Sequence, residues 1–322
     1  MKKDVMKAIA DTGILPVINI TDIETATELA RSVSNGGIKA LEITLRSEVS
    51  LEAIALIAKT NPKLSLLAGT VLTVSQAQAA LDAGADALVM PGYDEELVDF
   101  AIERGVPIIP GCVTAADIQK GYKKGLRVFK FFPAEKSGGL DAIKLLAGPF
   151  KGARFLPTGG MNYSNIGSYL REKCIVACGG SYMADVALLA ARDFNAIEKN
   201  CRRALEISLG FELAHIGINH STAEEGVSTA AFIARAFGLE LRDLGGAAFA
   251  GTAVESMKKQ GYGKVGHIGF YTNSVERAIA YFEAQGIAVN QDSIQKNKSG
   301  ELSCVYLADE VAGFALHAVK RS

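Results

Sequence analysis

The chain has 322 residues, a formal net charge of −1 and 49% hydrophobic residues, enough for one barrel-sized domain and a smaller one. A balance so near neutrality offers no basic field for nucleic acid or for an anionic membrane surface. The five scattered cysteines (Cys112, Cys174, Cys178, Cys201 and Cys304) form no CxxC pair and read as reduced thiols. Asp4, Lys7 and Asp11 interrupt any signal-peptide core, and no apolar run reaches membrane-spanning length. The expectation is a cytoplasmic protein acting on a small molecule.

Over the first two hundred residues, short apolar runs alternate with helical patterns. Strands are predicted at 14–20, 38–44, 64–70, 87–91, 106–110, 127–132, 154–158 and 175–177. Helices are predicted between them at 24–34, 51–60, 75–83, 95–104, 115–123, 141–147 and 164–172, with 184–191 and 195–209 after the last strand. Gly36-Gly37, Gly84, Gly105 and Gly125 stand where helices should stop. The near-continuous apolar strands suit a parallel sheet buried on both faces. Eight such units predict an α/β protein built on a (β/α)8 TIM barrel. A doubly wound open sheet is the alternative, but it would need no eighth unit.

Active sites of such barrels lie at the carboxyl ends of the strands, and the polar residues there are few. Glu42, Thr44 and Arg46 are spaced by two and would share one face of an extended strand. Their bland reading is a Glu42–Arg46 ion pair closing the barrel mouth. Thr70 ends the third strand. Lys130 lies in the run Phe129-Lys130-Phe131-Phe132, where desolvation by phenylalanines would favour the neutral, nucleophilic amine. On that stretch alone, a lysine snorkelling to the strand end is the plainer reading. Thr158-Gly159-Gly160 and Gly179-Gly180-Ser181 follow strands seven and eight, where these barrels often hold a phosphate on bare backbone N–H groups. The barrel segment contains no histidine, which leaves Glu42 as the best-placed acid/base. Without a strand-end cluster of carboxylates, Schiff-base chemistry fits better than metal-assisted enolate chemistry.

Four motifs occur in order on the right strands: Leu41-Glu42-Ile43-Thr44-Leu45-Arg46, Ala68-Gly69-Thr70-Val71-Leu72, Phe129-Lys130-Phe131-Phe132-Pro133-Ala134-Glu135 and Pro157-Thr158-Gly159-Gly160. They resemble the 2-keto-3-deoxy-6-phosphogluconate / 4-hydroxy-2-oxoglutarate aldolase family, over about residues 14–209. The resemblance implies a class I aldolase needing no cofactor, commonly a homotrimer, that releases pyruvate from a 2-keto acid. It implies Lys130 as the Schiff-base lysine and Glu42 as the proton shuttle, with Arg46 and Thr70 on the pyruvate carboxylate. Pro91 and Phe132 would line the pocket, Thr158 would contact the substrate, and Gly159, Gly160, Gly179, Gly180 and Ser181 would bind the substrate phosphate.

After Leu209-Gly210 the alternation stops, which divides the chain into a barrel at 1–210 and a second domain at 211–322. All four histidines lie beyond this boundary. His215-Ile216-Gly217 and His267-Ile268-Gly269 each open a segment that runs into a helix and then β-type stretches. The layout predicts an α+β domain of two βαβββ modules and resembles the vicinal-oxygen-chelate (glyoxalase-like) family. That resemblance implies a divalent metal held by His215, Glu255, His267 and His317, although His317 stands where a glutamate is usual. Hydrogen-bonded core histidines are the plainer alternative, and His220 reads as a loop or cap residue. The alternative function is an inactive barrel scaffold carrying a metal-dependent lyase or ligand-binding C-terminal domain.

Overall fold

The structure is a computed structural model that describes residues 3–321. It falls into two compact units that divide between Ser208 and Leu209. In the first unit, strands β1 (Ile14–Ile18), β2 (Ala40–Thr44), β3 (Ser65–Gly69) and β4 (Ala87–Val89) run parallel side by side. β5 is broken at Pro110 into Ile108–Ile109, which pairs with β4, and Gly111–Cys112, which pairs with β6 (Val128–Phe131). β7 (Arg154–Pro157) follows, and β8 (Cys178–Gly180) pairs with β1 from Ile14↔Cys178 to Pro16↔Gly180. Bridges Phe155↔Ile175 and Thr158↔Gly179 join β7 to β8 and complete a ring of eight parallel strands.

The helices are α1 (Val5–Thr12), α2 (Ala26–Asn35), α3 (Ser50–Thr60), α4 (Val74–Asp82) and α5 (Glu95–Glu103). They continue with α6 (Ala115–Lys123), α7 (Gly139–Ala147), α8 (Ile166–Leu170), α9 (Val186–Ala190) and α10 (Phe194–Leu209). From α2 onward they form the outer layer, most of them burying one stripe, while α9 has no buried residue and lends Val186 and Leu189 to the mouth of the barrel. In α2 the stripe is Ala26, Leu29, Ala30 and Val33, the spacing of one helical face.

α1 was absent from the sequence expectation. The Asp4 side chain caps it by accepting from the Lys7 N–H, and Gly13 ends it in the left-handed conformation. Its buried Val5 and Ile9 join one core cluster with Leu15, Ala40, Leu67, Val89, Ile109 and Leu156 of the strands. Lys3 bonds the Leu64 carbonyl and the Asp86 carboxylate, at the starts of β3 and β4. α1 therefore closes the amino end of the barrel, and the carboxyl end is left for chemistry.

Two expectations about the barrel need correction. The eighth strand is Cys178–Gly180 rather than 175–177, so the Gly179-Gly180 pair is ladder, not loop. A run of cysteine and glycine carries no β-type signal, and its pairing comes from β1. Arg46 is not on the extended strand either. β2 ends at Thr44, and Arg46 sits in the following turn with its N–H on the Thr44 carbonyl at 2.9 Å.

The second unit is one eight-stranded sheet. Its first half is β9 (Glu212–Ile218), α11 (Ala223–Phe237), β10 (Leu241–Leu244), β11 (Ala247–Ala250) and β12 (Val254–Met257). The second half repeats that order with β13 (Gly266–Thr272), α12 (Val275–Ala284), β14 (Val289–Lys296), β15 (Leu302–Val311) and β16 (Phe314–Lys320). Across the sheet the order is β10-β11-β12-β9-β13-β16-β15-β14, and the two halves meet where β9 and β13 pair antiparallel. α12 covers one face of its half through Val275 and Ala278 against Val305 and Ala318. Among the described residues no helix is long and apolar enough to cross a membrane, and all five cysteines are free.

Candidate functional site

At the carboxyl end of the barrel, Lys130 Nζ lies 3.0 Å from Glu42 Oε1. The lysine side chain is 6% exposed and the glutamate is fully buried. β6 delivers the amine and β2 the carboxylate, from opposite sides of the barrel wall. Gly69 at the end of β3 makes room for the pair, since a Cβ there would stand 2.1 Å from Glu42 Oε1. Glu42 Oε2 is buried with no hydrogen-bond partner in the protein. Leaving such an atom unsatisfied costs about 1–3 kcal/mol, which a structural ion pair would not need to bear. An unpaired carboxylate oxygen can accept a proton from a group brought within hydrogen-bond reach.

The phenylalanines do not surround Lys130 as the sequence suggested. Alternation along β6 sends Phe129 and Phe131 to the opposite face. Phe129 packs toward Gly121 of α6 and tilts against Phe155, with ring centroids 6.3 Å apart. Phe132 is the neighbour of the amine, its ring centroid 5.6 Å from Nζ. Burial within the barrel, rather than a phenylalanine cage, desolvates the lysine.

A cavity of about 350 Å³ opens above the pair. Its walls include Arg46, Thr44, Lys130 and Phe132 near the reactive end and Thr158, Gly159, Gly160, Gly180 and Ser181 further out. Arg46 makes no ion pair with Glu42. Its Nε donates to Thr70 Oγ1 at 3.2 Å. Thr70 has φ +58°, a left-handed conformation that is an outlier for a β-branched residue and is commonest at functional sites. Gly159 and Gly160 have φ +95° and +87°, and a Cβ on Gly160 would meet Glu135 Cγ at 2.5 Å. Only glycine brings bare backbone to this wall.

Thr70, Pro91 and Gly179 do not line the cavity, and Thr70 acts on it only through its bond to Arg46. The Pro91 carbonyl packs under Gly111, and Gly179 packs against Thr158 Oγ1. The sequence reading overlooked Asn19, at the end of β1, which lines the cavity and lies 3.4 Å from Thr44 Oγ1. A lone amide in the apolar run Val17-Ile18-Asn19-Ile20 was the available signal.

The second unit gathers a separate cluster on one face of its sheet. His317 Nε2 is 3.1 Å from His215 Nε2, and Glu255 Oε2 lies 3.4 Å from His215 Nε2 and 3.2 Å from His267 Nε2. One ligand atom from each of the three histidines falls within 4.8 Å of the other two. The residues come from β9, β12, β13 and β16, the first and last strands of each half. Two glycines make the convergence sterically feasible. A Cβ on Gly217 would stand 2.1 Å from His267 Cε1, and one on Gly269 would stand 2.5 Å from His317 Nε2 and 2.7 Å from His215 Cε1. The repeated His-Ile-Gly therefore has a physical cause, with each glycine vacating the space that an imidazole occupies.

Burial, followed by the neighbouring imidazoles, lowers the His317 pKa to about 3. Burial also pushes the His215 pKa down, against the opposing pull of Glu255. Burial alone would raise the Glu255 carboxyl, but the His267 hydrogen bond and the two imidazole charges outweigh it and hold it below the usual range. Burial thus favours the neutral rings of His215 and His317, which face the Glu255 carboxylate. Contacts of 3.1, 3.4 and 3.2 Å bring the four side chains onto one small space between them. The donor set suits a divalent transition metal. His220 stands apart, bonded to the Ile218 carbonyl and to Thr229 Oγ1.

Comparison with known proteins supplies the relatives. A family model described as KDPG and KHG aldolase matches residues 5–200. The 2-dehydro-3-deoxy-phosphogluconate aldolase of Treponema pallidum (strain Nichols) is 40% identical over 203 residues, covering 63% of this chain and 97% of the relative. The KHG/KDPG aldolase of Escherichia coli (strain K12) is 40% identical over 201 residues, covering 62% of this chain and 94% of the relative. A KDPG aldolase from Legionella pneumophila, solved with pyruvate captured as a covalent carbinolamine intermediate, superposes with a TM-score of 0.61 at 33% identity, covering 63% of this chain and 99% of that one.

Proposed function

Because this chain belongs to the KDPG and KHG aldolase family, we propose that its barrel, a class I carbon–carbon lyase, works through Lys130 and Glu42. The observation that carries this reading is the buried Lys130–Glu42 contact of 3.0 Å at the floor of the cavity. The amine adds to the C2 ketone of a 2-keto acid to give a carbinolamine. Loss of water gives an iminium that takes up the electron pair of the C3–C4 bond. Glu42 accepts the C4 hydroxyl proton, an aldehyde leaves, and the enamine regains a proton at C3 before hydrolysis frees pyruvate. Arg46, braced on Thr70, holds the carboxylate, and the glycine-rich wall of Gly159, Gly160, Gly180 and Ser181 takes the far end of the substrate.

The substrates are 2-keto-3-deoxy-6-phosphogluconate, 4-hydroxy-2-oxoglutarate or both, cleaved to pyruvate with glyceraldehyde 3-phosphate or glyoxylate. The protein is cytoplasmic, and the barrels associate as a trimer. Borohydride added to the full chain with pyruvate should leave one covalent adduct on Lys130, mapped by peptide mass spectrometry. An adduct elsewhere, or none, sinks the assignment.

For the second unit, 211–322, the reading is a vicinal-oxygen-chelate-type domain with a divalent metal on His215, Glu255, His267 and His317. Convergence of four donors on the expected strands supports it, and so does the clearance at Gly217 and Gly269. The metal would supply Lewis acidity on that face of the sheet. Elemental analysis of the purified full chain should find about one transition-metal ion per chain. The His267→Ala variant should lose it while aldolase turnover persists. Equal metal content in both proteins refutes the site.

A further inference from the structure

An imidazole carries one proton, and a ring can offer Nε2 to a metal only if that proton sits on Nδ1. Proteins usually fix this choice with an acceptor behind the ring, a carboxylate or a backbone carbonyl. His317 has neither in the structure. Its Nδ1 lies 3.2 Å from the sulfur of Cys304, on the neighbouring strand β15. Both residues are buried, at 6% and 7% exposure, so water does not compete for the contact. The ring is further held by Tyr306, stacked on it at 4.6 Å with 12° between the planes. By contrast, His267 Nδ1 is buried without a partner.

We propose that Cys304 is a positioning residue of the histidine–glutamate centre, its sulfur accepting the Nδ1–H of His317 and so turning a bare Nε2 toward His215 and Glu255. The inference rests on the metal-centre reading above and adds a fifth residue to it. With the proton on Nδ1, the 3.1 Å contact between the Nε2 atoms of His317 and His215 is made by a proton on His215, the more accessible of the two rings. When a metal enters, that proton is exchanged through solvent onto His215 Nδ1, a shift open to the more exposed ring, which stays neutral. In the opposite arrangement the thiol donates to a bare Nδ1, and the His317 proton sits on Nε2 inside the cluster. That form closes the centre to a cation. A sulfur is a weak acceptor, so the preference it imposes depends on the burial that excludes better ones.

Two measurements on the full chain test this. Histidine ¹⁵N NMR of the metal-free protein should show His317 protonated on Nδ1 in the wild type and in Cys304→Ser, whose hydroxyl oxygen can also accept. In Cys304→Ala the Nδ1 preference should vanish. Cobalt(II) titration, followed by visible absorption, should give an affinity about 10–100-fold weaker for Cys304→Ala and within about threefold of wild type for Cys304→Ser, the range expected for an outer hydrogen-bond partner. A wild-type His317 protonated on Nε2 overturns the proposal, as does a Cys304→Ala variant that keeps the wild-type tautomer. Cobalt affinity unchanged in Cys304→Ala also overturns it, and so does equal weakening in the serine variant, which would mark lost packing. If the wild type binds no cobalt, the metal reading fails by itself, and the tautomer measurement still decides the role of Cys304.

Discussion

Lys130→Met should abolish aldol cleavage, lowering kcat by at least about 10⁴-fold, because no other amine reaches the cavity floor to form the iminium. The borohydride-stable pyruvate adduct should vanish with it. The same change leaves the fully buried Glu42 without its counter-charge. Removing one member of a buried pair typically costs about 3–5 kcal/mol, so the barrel's unfolding transition in urea should move to lower denaturant. Combining Lys130→Met with Glu42→Leu removes both charges and should recover most of that stability without any activity. A double variant no more stable than Lys130→Met would show that the pair is held by something other than mutual compensation.

Glu42→Gln keeps the shape and one hydrogen-bonding oxygen but cannot accept a proton. Turnover should fall by about 10²–10⁴-fold, the usual share of a positioned acid/base. Long incubation with pyruvate and borohydride should still label Lys130, since the amine remains in place and attack is slowed rather than prevented. This combination of slow turnover with retained labelling separates a proton shuttle from a residue that only props up the lysine. If turnover and labelling are lost together, Glu42 is a support and the acid/base lies elsewhere in the cavity.

The sequence made the ring of strands legible because parallel strands buried on both faces must be apolar throughout, and eight such runs leave few topologies. Lys130 and Glu42 stood out for the complementary reason, since each is a charge in a place where charge is costly. Where side-chain direction mattered, the reading failed. Phe129 and Phe131 adjoin Lys130 in sequence, yet the two-residue period of a strand turns them to the helix layer. Arg46 continued an attractive spacing from Glu42 and Thr44, but the chain had already turned. α1 is hard to see in the sequence because Asp4, Lys7 and Asp11 dilute its apolar period. Val5, Ile9 and Thr12 carried the helical period all along, and their burial depends on a barrel end that no local pattern announces. The small-residue strand Cys178–Gly180 was misplaced for the same reason, as its partner supplies the pairing. In the second unit the repeat was enough, since equivalent positions in a duplicated motif come together when the two copies pair.

The clearance around the imidazoles crosses the line between the copies. Gly217 belongs to the first half and vacates space for His267 of the second, while Gly269 of the second vacates space for His215 of the first. Each half therefore carries a notch cut for its twin. Excising either half would break the pairing of β9 with β13 and separate His215 and Glu255 from His267 and His317. A side chain gained at Gly217 would be felt first by His267 of the other half, and one gained at Gly269 by His317 of its own half and by His215 of the other.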